Sequence, residues 1–508
     1  MHARHRFRRS LGAILIAGLA AAFAIMAPGI AAPAAATAEA AQESEAVARY
    51  LQSGGRVPDW AKAPGFRAAL SEEAERHGLA MVADIPAATA SPDDGALIAA
   101  TLRLARMLAR GAVAPEQVQR NWAIAVPQFA AEAALRTLLS LDDPLPWLRS
   151  LAPEDRGYRE LLPVLARYKA IAGRGSTALS SGPTLKAGMS GARVAALQSR
   201  LKLEGDLAAD TAASAIFDAE TERAVRAFQS RYGLEPDGRV GRVTLAAMNV
   251  DAGERYRQIA ANLERWRWLP RRLAPHRVMV NAAAARLTLF EDGEPVLGLR
   301  TIVGKPRTPT PVLAATIASL LLNPPWDIPP KIAAHEIRPL ARRDPGYLER
   351  EGIVAVGDGK HLRQLPGPKN ALGRLKFEMP NPLDVYLHDT PSRNLFQRPR
   401  RFFSHGCIRV ENPEELALRL LRRDPGWTRE ALEEAIATGE TRHVPISPGV
   451  AVFVVYFTAM AEPGGTVTFL DDVYRRDPPL IAALFPEGPA AQLAEQRWPG
   501  SATECHSG

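Results

Sequence analysis

Two short passages in the last quarter of the chain contain residue types that can activate a nucleophile. The first contains His388, and the second contains His405, Cys407 and Arg409. A thiol with an ordinary pKa of about 8.5 is mostly protonated at neutral pH, and neighbouring imidazolium or guanidinium groups lower that pKa by stabilising the thiolate. A histidine can also hold the proton and return it to a leaving amine. The combination predicts a cysteine enzyme with Cys407 as nucleophile.

The general base is predicted from the alternation of side chains along a strand. If residues 384–388 form a strand, Tyr386 and His388 share one face. His388 then stands on a different strand from Cys407 and can face the thiol across a gap. His405 is tied to the backbone of the thiol itself, so His388 is the better candidate for the base.

The passage around the cysteine also predicts groups that would bind the substrate. If this passage is extended, His405, Cys407 and Arg409 share one face, and Gly406 lets a substrate backbone approach closely. Ser404 and Gly406, with the Cys407 amide, are predicted donors near the point where a tetrahedral oxyanion forms.

Two other interpretations of these residues were weighed. A lone cysteine is often a small buried hydrophobe, and a lone histidine is often a packing residue, but two histidines, an arginine and a glycine in one predicted pocket favour catalysis. A metal site is disfavoured because His388, His405 and Cys407 lack helical spacing and a second cysteine pair. No metal and no cofactor are therefore predicted.

The N-terminus predicts export. Four arginines in the first nine residues precede an apolar run over residues 11–26 and then small residues, which is the order of a secretory signal. Residues 1–38 are interpreted as this signal, with the mature chain beginning at Thr37 or Glu39. An uncleaved inner-membrane anchor is the alternative, although the run is short for a membrane span.

Cysteine count and charge restrict the partners. The chain has only Cys407 and Cys505, and Cys505 falls in a polar tail, residues 501–508, that is predicted to be disordered. Cys407 is therefore interpreted as a free thiol. The net charge of +8, in an exported chain without basic-aromatic clusters, argues against nucleic acid and favours a carboxylate-rich polymer.

A length of 508 residues predicts several domains, and the hydrophobic pattern changes along the chain. Residues 43–175 have a helical pattern, in which Leu97, Leu104 and Leu108 fall on one face of a helix that ends before Gly111. A Gly/Ser/Pro stretch over 173–183 is typical of a linker. Two amphipathic helices are predicted next, the second capped by Asp218 and ended by Gly233.

The last part of the chain has a β pattern. Four short β-rich runs follow Arg277, and Asp292-Gly293 between two of them predicts a hairpin. A stretch with a helix-like segment and Gly/Pro-rich turns, about 329–380, is long enough to be an inserted lid.

Two families resemble parts of this sequence. The order of Leu, Gly, Val, Phe-Gln and Asp-Gly residues between Leu185 and Asn249 resembles the small three-helix peptidoglycan-binding module of bacterial wall enzymes. His388 followed by Ser-His-Gly-Cys-Ile-Arg resembles the L,D-transpeptidase signature, and the motifs around it are similar to the large Gram-negative members: Trp-Arg-Trp-Leu-Pro at 266–270, Val-Gly-Lys at 303–305, Asn-Pro-Pro-Trp at 323–326 and Pro-Gly-Pro-Lys-Asn-Ala-Leu-Gly at 366–373.

This resemblance implies a multidomain architecture for the whole chain. It consists of an all-α scaffold domain, a small three-helix peptidoglycan-binding module, and a mostly β L,D-transpeptidase catalytic domain with an inserted lid. The predicted boundaries are 1–38 for the signal, 43–175 for the scaffold, 184–250 for the module, 270–460 for the catalytic domain, and 461–508 for a C-terminal extension and disordered tail.

The resemblance also implies an activity in the periplasm. Cys407 would attack diaminopimelate in a donor stem tetrapeptide, release D-alanine and form a thioester. A second stem's side-chain amine would then give a 3→3 cross-link, and water would give carboxypeptidase activity. His388 would be the general base, His405 a supporting group, Arg409 would orient the pocket or a substrate carboxylate, and Tyr386 would line the pocket. Carbapenems are expected to acylate the thiol. No oligomeric state is predicted.

Two rival classes of protein were considered. A papain-like wall endopeptidase usually places its cysteine before its histidine, whereas His388 precedes Cys407 here. A non-catalytic wall-binding scaffold has no need of His388, Cys407 and Arg409. Both rivals are less consistent with the sequence than an L,D-transpeptidase.

Overall fold

The computed structural model describes residues 34–79, 85, 90, 93–174, 178–212, 214–357, 359–462 and 465–486, with side chains described from residue 39 onward. The predicted signal up to residue 33 and the tail with Cys505 lie outside these ranges. Among the residues described, no helix is both long enough and apolar enough to cross a bilayer.

Among the described residues, eight helices form the N-terminal domain, and one short strand between them pairs in parallel with Val312–Leu313 of the β domain. Helix α4 illustrates why they form, because Asp93 accepts a hydrogen bond from the Gly95 N–H at its start and Gly111, with φ +97°, ends it. Leu97, Leu104 and Leu108 make its buried face, as the pattern predicted. The helices are α1 Ala34–Gln52, α2 Asp59–Lys62, α3 Phe66–Arg76, α4 Asp94–Arg110, α5 Pro115–Val118, α6 Ala131–Leu139, α7 Leu145–Leu151 and α8 Arg156–Ala172, and the strand is β1 Trp122–Ala123.

Three helices form the small module: α9 Ala192–Glu204, α10 Ala219–Arg231 and α11 Arg242–Met248. The Asp218 carboxylate accepts from the Thr221 N–H at 2.8 Å, and Gly233 adopts φ +63° just beyond α10, so the predicted cap and stop are confirmed. The predicted linker is partly anchored, since buried Leu179 exchanges two backbone hydrogen bonds with the Asn249 side chain.

Helix α12, Ala252–Arg267, joins the module to the β domain and packs along α8. Glu264 on this helix is completely buried and accepts hydrogen bonds from the Ala112 and Val113 amides at 2.6 and 2.7 Å. Arg267, also completely buried, pairs with Glu264 at 2.9 Å. The hydrogen bonds of Glu264 fix the N-terminal domain to helix α12.

Eight strands close into a barrel, in the order β5, β13, β2, β3, β4, β12, β10, β9, with β9 also pairing with β5. Closure removes the exposed strand edges. Asp292 and Gly293 adopt φ +52° and +84°, which confirms the predicted hairpin. The strands are β2 Arg277–Asn281, β3 Arg286–Glu291, β4 Glu294–Gly304, β5 Val312–Leu322, β9 Leu375–Glu378, β10 Leu387–His388, β12 Ile408–Val410 and β13 Arg442–Val455; β11 Phe402–Ser404 pairs with β4 outside this order.

The insert between β5 and β9 is a small unit with its own apolar core of Ile328, Ala333, Ile337, Ile353 and Leu362. The predicted lid of about 329–380 needs correction at both ends, because residues 375–378 belong to the barrel and the insert's sheet begins at residue 326. Its elements are β6 Trp326–Ile328, α13 Pro330–Ile332, a π-helical turn Ala333–Ile337, α14 Arg338–Arg343, α15 Tyr347–Arg350, β7 Ile353–Val356 and β8 His361–Gln364.

The chain ends in elements that pack back onto the rest of the molecule. After a 3₁₀ turn Arg393–Gln397 come α16 Pro413–Leu420 and α17 Arg429–Ala437, and after β13 come β14 Ala459–Ala461, β15 Val467–Phe469 and α18 Asp477–Leu484. Phe469 and Leu480 are buried, and Arg265 of α12 pairs with Asp477 at 2.6 Å. The multidomain fold class predicted from the sequence is confirmed.

Candidate active site

Two neighbouring parallel strands bring the predicted catalytic residues together. In the β10–β12 register, His388 lies opposite Arg409, and the Ile408 N–H donates to the Tyr386 carbonyl at 3.0 Å. Cys407 therefore lies opposite Tyr386, and His388 follows two residues after Tyr386 on the neighbouring strand. The strand predicted over 384–388 is shorter than expected, because Asp384 adopts φ +50° in a turn before β10.

The cysteine loop is bent rather than extended, which corrects the predicted alternation. Residues 405–407 form a bend between β11 and β12, and Gly406 adopts φ +125°, a conformation that glycine tolerates. The Ser404 hydroxyl donates to the Cys407 carbonyl at 2.6 Å and accepts from the Gly406 N–H at 3.1 Å. Ser404 and Gly406 are thus occupied within the loop and are not free to bind an oxyanion, which leaves the Cys407 amide as the remaining predicted donor.

His388 is buried in its neutral form, with one ring nitrogen hydrogen-bonded to the backbone. Its Nδ1 lies 2.6 Å from the Asp389 carbonyl oxygen, so we assign the ring hydrogen to Nδ1 and a free lone pair to Nε2. Burial, followed by the charges of Arg409 and Lys376, lowers the pKa of His388 to about 3. The imidazole is therefore neutral at pH 7.

The thiol of Cys407 is also neutral at rest. Burial raises its pKa, and this effect outweighs the Tyr386 main chain and hydroxyl and the positive charges of Lys376 and Arg409, which all favour the thiolate. The expectation that neighbouring cations leave the pKa lowered is therefore wrong. The thiol Sγ lies 3.8 Å from the Asp384 carbonyl, and within the described residues its hydrogen bond goes there rather than to His388.

Tyr386 and Lys376 form the wall beside the thiol. The Tyr386 ring packs against the His388 ring at 5.6 Å between centroids, and the Lys376 ammonium lies 4.7 Å from the centre of the Tyr386 ring. Lys376 is the register partner of His388 on the antiparallel strand β9. Sequence reasoning missed this residue because no short-range pattern shows which strand pairs with β10.

His405 and Arg409 face the insert. The His405 Nε2 lies 2.6 Å from Glu336 of the π-helical turn, so His405 is turned away from a role beside the thiol. Arg409 lines a cavity of about 440 Å³ between the insert and the barrel, together with Tyr347 and Lys369. The Arg409 Nε is buried without a hydrogen-bond partner in the described chain. This cavity is large enough for part of a peptide.

Among the residues that the structure describes, no group of three or more His, Cys, Asp or Glu side chains is arranged to hold a metal ion. A thiol and a neutral imidazole on neighbouring segments, next to a cavity that Arg409 lines, are suited to acyl transfer.

Comparison with known families decides how this geometry is interpreted. Residues 275–428 match the family model of the L,D-transpeptidase catalytic domain, known as YkuD. The chain carries an L,D-transpeptidase catalytic domain. The N-terminal part of the chain matches a scaffold-domain model over residues 61–165, and its small module matches a model of a candidate peptidoglycan-binding domain over residues 190–248.

Individual relatives agree with this assignment. A Haemophilus influenzae protein, named as a candidate L,D-transpeptidase, is 34% identical over 239 residues, which are 43% of this chain and 48% of that protein. The match thus spans about half of that relative. Among solved structures, L,D-transpeptidases of Stackebrandtia nassauensis and Mycobacterium smegmatis are each 16% identical, with TM-scores of 0.23 and 0.21; they cover 55% and 36% of this chain, and 95% and 58% of their own chains. Scores this low carry no argument.

Proposed function

We propose that this protein is a peptidoglycan L,D-transpeptidase that forms 3→3 cross-links through a thioester on Cys407. The observation that carries the proposal is the neutral His388 imidazole, which has a free Nε2 and lies on the strand paired with the one that follows the thiol loop. The assignment of the catalytic domain supports the same reaction class.

The first half of the proposed reaction is acyl transfer to sulfur. The Cys407 Sγ leaves the Asp384 carbonyl by rotation about the Cα–Cβ bond and attacks the carbonyl carbon of the third residue of a donor tetrapeptide. His388 Nε2 takes the thiol proton and gives it to the departing D-alanine amine as the C–N bond breaks. The thioester and free D-alanine are the products.

The second half resolves the thioester. The side-chain amine of a second stem's diaminopimelate attacks the thioester carbonyl, its proton passes to His388, and the C–S bond breaks. The thiolate recovers the proton from His388. Water attacking in place of the amine gives an L,D-carboxypeptidase. Because thiol and imidazole are both neutral at rest, proton transfer accompanies attack rather than preceding it.

Positive charge around the site fits this substrate. The Lys376 ammonium and the Arg409 guanidinium both favour the thiolate that leaves in the second half. Arg409 lines the cavity below the insert, and its buried Nε has no hydrogen-bond partner among the described residues, so its guanidinium is suited to bind a stem-peptide carboxylate. Tyr386 lines the wall against which the donor packs. His405 acts through its contact with Glu336 of the insert rather than on the thiol.

The remaining assignments concern location. We propose that the module over residues 184–250 holds the enzyme on the wall, and that the protein is exported to the periplasm with its signal cleaved. Retention of residues 1–38 as an inner-membrane anchor is the alternative.

The test of function is product identification by mass spectrometry after incubating the full chain with disaccharide-tetrapeptides. The expected product is a dimer that has lost one D-alanine, with fragmentation placing the new bond between two diaminopimelates. Disaccharide-tripeptide alone would replace this proposal with the carboxypeptidase. Unchanged substrate, from protein whose folding is verified by circular dichroism, would support a non-catalytic wall-binding scaffold.

Carbapenem acylation is a second expected result. The same nucleophilic attack opens a β-lactam ring, so incubation should add one drug mass to the protein, located on Cys407 by peptide mapping. Cys407→Ala should remain at its original mass. Unmodified wild-type protein that still cross-links tetrapeptides would contradict this prediction.

A further inference from the structure

A short series of hydrogen bonds reaches the peptide unit that carries the nucleophile. Thr310 is completely buried, and its hydroxyl donates to the Gly406 carbonyl at 2.9 Å. The same hydroxyl oxygen accepts from the Gly304 N–H at 2.9 Å. The hydroxyl oxygen accepts from Gly304, the last residue of strand β4, and the hydroxyl hydrogen is donated to the Gly406 carbonyl.

This bond controls a group that belongs to the neighbouring residue. The Gly406 carbonyl and the Cys407 N–H are parts of one planar trans peptide unit, so they point in opposite directions. By holding the carbonyl oxygen, Thr310 sets the direction of the Cys407 N–H. A Cβ built on Gly406 would meet nothing within 4 Å, so no side chain packs against the α-carbon at this end of the peptide unit. The Thr310 hydroxyl restrains its carbonyl end.

The C-terminal segment supports Thr310 through hydrogen bonds to two backbone carbonyls. The Arg476 guanidinium donates to the Thr310 carbonyl at 3.0 Å, and the Tyr474 hydroxyl donates to the Gly304 carbonyl at 2.7 Å. Tyr474 stacks on Tyr456 at 5.2 Å, and Arg476 lies about 5 Å from the centres of both rings. A segment about 70 residues after the nucleophile thus supports its loop.

We propose that Thr310 is a positioning residue for the oxyanion site, acting by orienting the Cys407 N–H, and that Tyr474 and Arg476 extend this support from the C-terminal segment. The inference rests on the proposed function, because it assigns a role within that reaction. Ser404 and Gly406 form hydrogen bonds within the loop, whereas Thr310 orients the Cys407 amide, which takes no part in those bonds. An amide aimed in advance at the developing charge acts mainly on the transition state.

Thr310→Val, nearly equal in shape, removes the hydroxyl. The expected result is a kcat on tetrapeptide roughly 10- to 100-fold lower with an unchanged KM, because only transition-state stabilisation is lost. Alkylation of Cys407 by iodoacetamide forms no oxyanion, so its rate should equal that of wild type. Thr310→Ser should restore kcat. Thr316→Val, on an exposed position of β5, is the matched control and should behave as wild type.

Three outcomes would overturn the inference. One is a Thr310→Val enzyme with wild-type kcat, and another is alkylation that slows in step with kcat, which would indicate displacement of the thiol itself. The third is an inactive wild type, which would remove the proposed function as well. If Thr310→Val does not fold, Tyr474→Phe provides the test. This variant should lower kcat with an unchanged KM and an unchanged alkylation rate, to a smaller extent than Thr310→Val. An unchanged kcat would contradict the proposed support of Thr310 by Tyr474.

Discussion

His388→Gln is expected to lower kcat/KM for cross-linking by about 10²- to 10⁴-fold, the usual contribution of a general acid–base group. The wild-type ring accepts the thiol proton at Nε2 and returns it to the D-alanine amine, and an amide can do neither. Burial raises the pKa of Cys407, so the thiol is protonated at rest and its proton must be removed during attack. His361→Gln, at an exposed position of β8, is the matched control and should retain full activity. Steady-state kinetics on disaccharide-tetrapeptide make the measurement.

The pH dependence sharpens this prediction. With its pKa lowered to about 3, His388 stays neutral as the pH falls from 7 to 5, so kcat/KM should stay flat over that interval. A fall with a midpoint near the ordinary histidine value would show that the base is another imidazole. The unfolded chain protonates this histidine near pH 6.5, so its stabilising contribution is present above that value and is lost as the pH falls toward 3.

Glu264→Leu is expected to lower the free energy of unfolding by about 3–5 kcal/mol, because it leaves a buried charge unpaired. Arg267 would lose the carboxylate 2.9 Å away, and the Ala112 and Val113 amides would lose their acceptor. The Ala112 and Val113 amides are the two partners that join the scaffold domain to helix α12, so the variant should weaken this junction.

Urea denaturation followed by circular dichroism tests this. Glu75→Leu is the control, because Glu75 forms an exposed pair with Lys169 and should leave the midpoint unchanged. A Glu264→Leu midpoint equal to that of wild type would contradict the view that the buried Glu264 carboxylate stabilises the contact between the scaffold domain and helix α12.

Features set by local sequence were predictable. The Asp218 cap, the Gly111 and Gly233 stops and the Asp292-Gly293 hairpin each follow from the backbone preference of one or two residues. The cysteine and histidine of the site were visible because their types carry chemistry by themselves.

Features set by long-range packing were not predictable. The Lys376–His388 register, the Glu336–His405 contact and the Thr310–Gly406 bond each join segments distant in sequence. Burial depends on the same packing, which is why the shift of the Cys407 pKa was predicted with the wrong sign. The bend at residues 405–407 reflects the Ser404 hydroxyl bonding back to its own loop, a local competition that alternation arguments ignore.

The most direct test of the central claim is to mix the protein with tetrapeptide donor without acceptor, quench in acid within milliseconds, and map the adduct by mass spectrometry. The account predicts a tripeptide-containing stem attached to Cys407 as a thioester, released by added diaminopimelate amine, and neither adduct nor dimer from Cys407→Ala. Dimers formed by Cys407→Ala, or an adduct on any other residue, would contradict it.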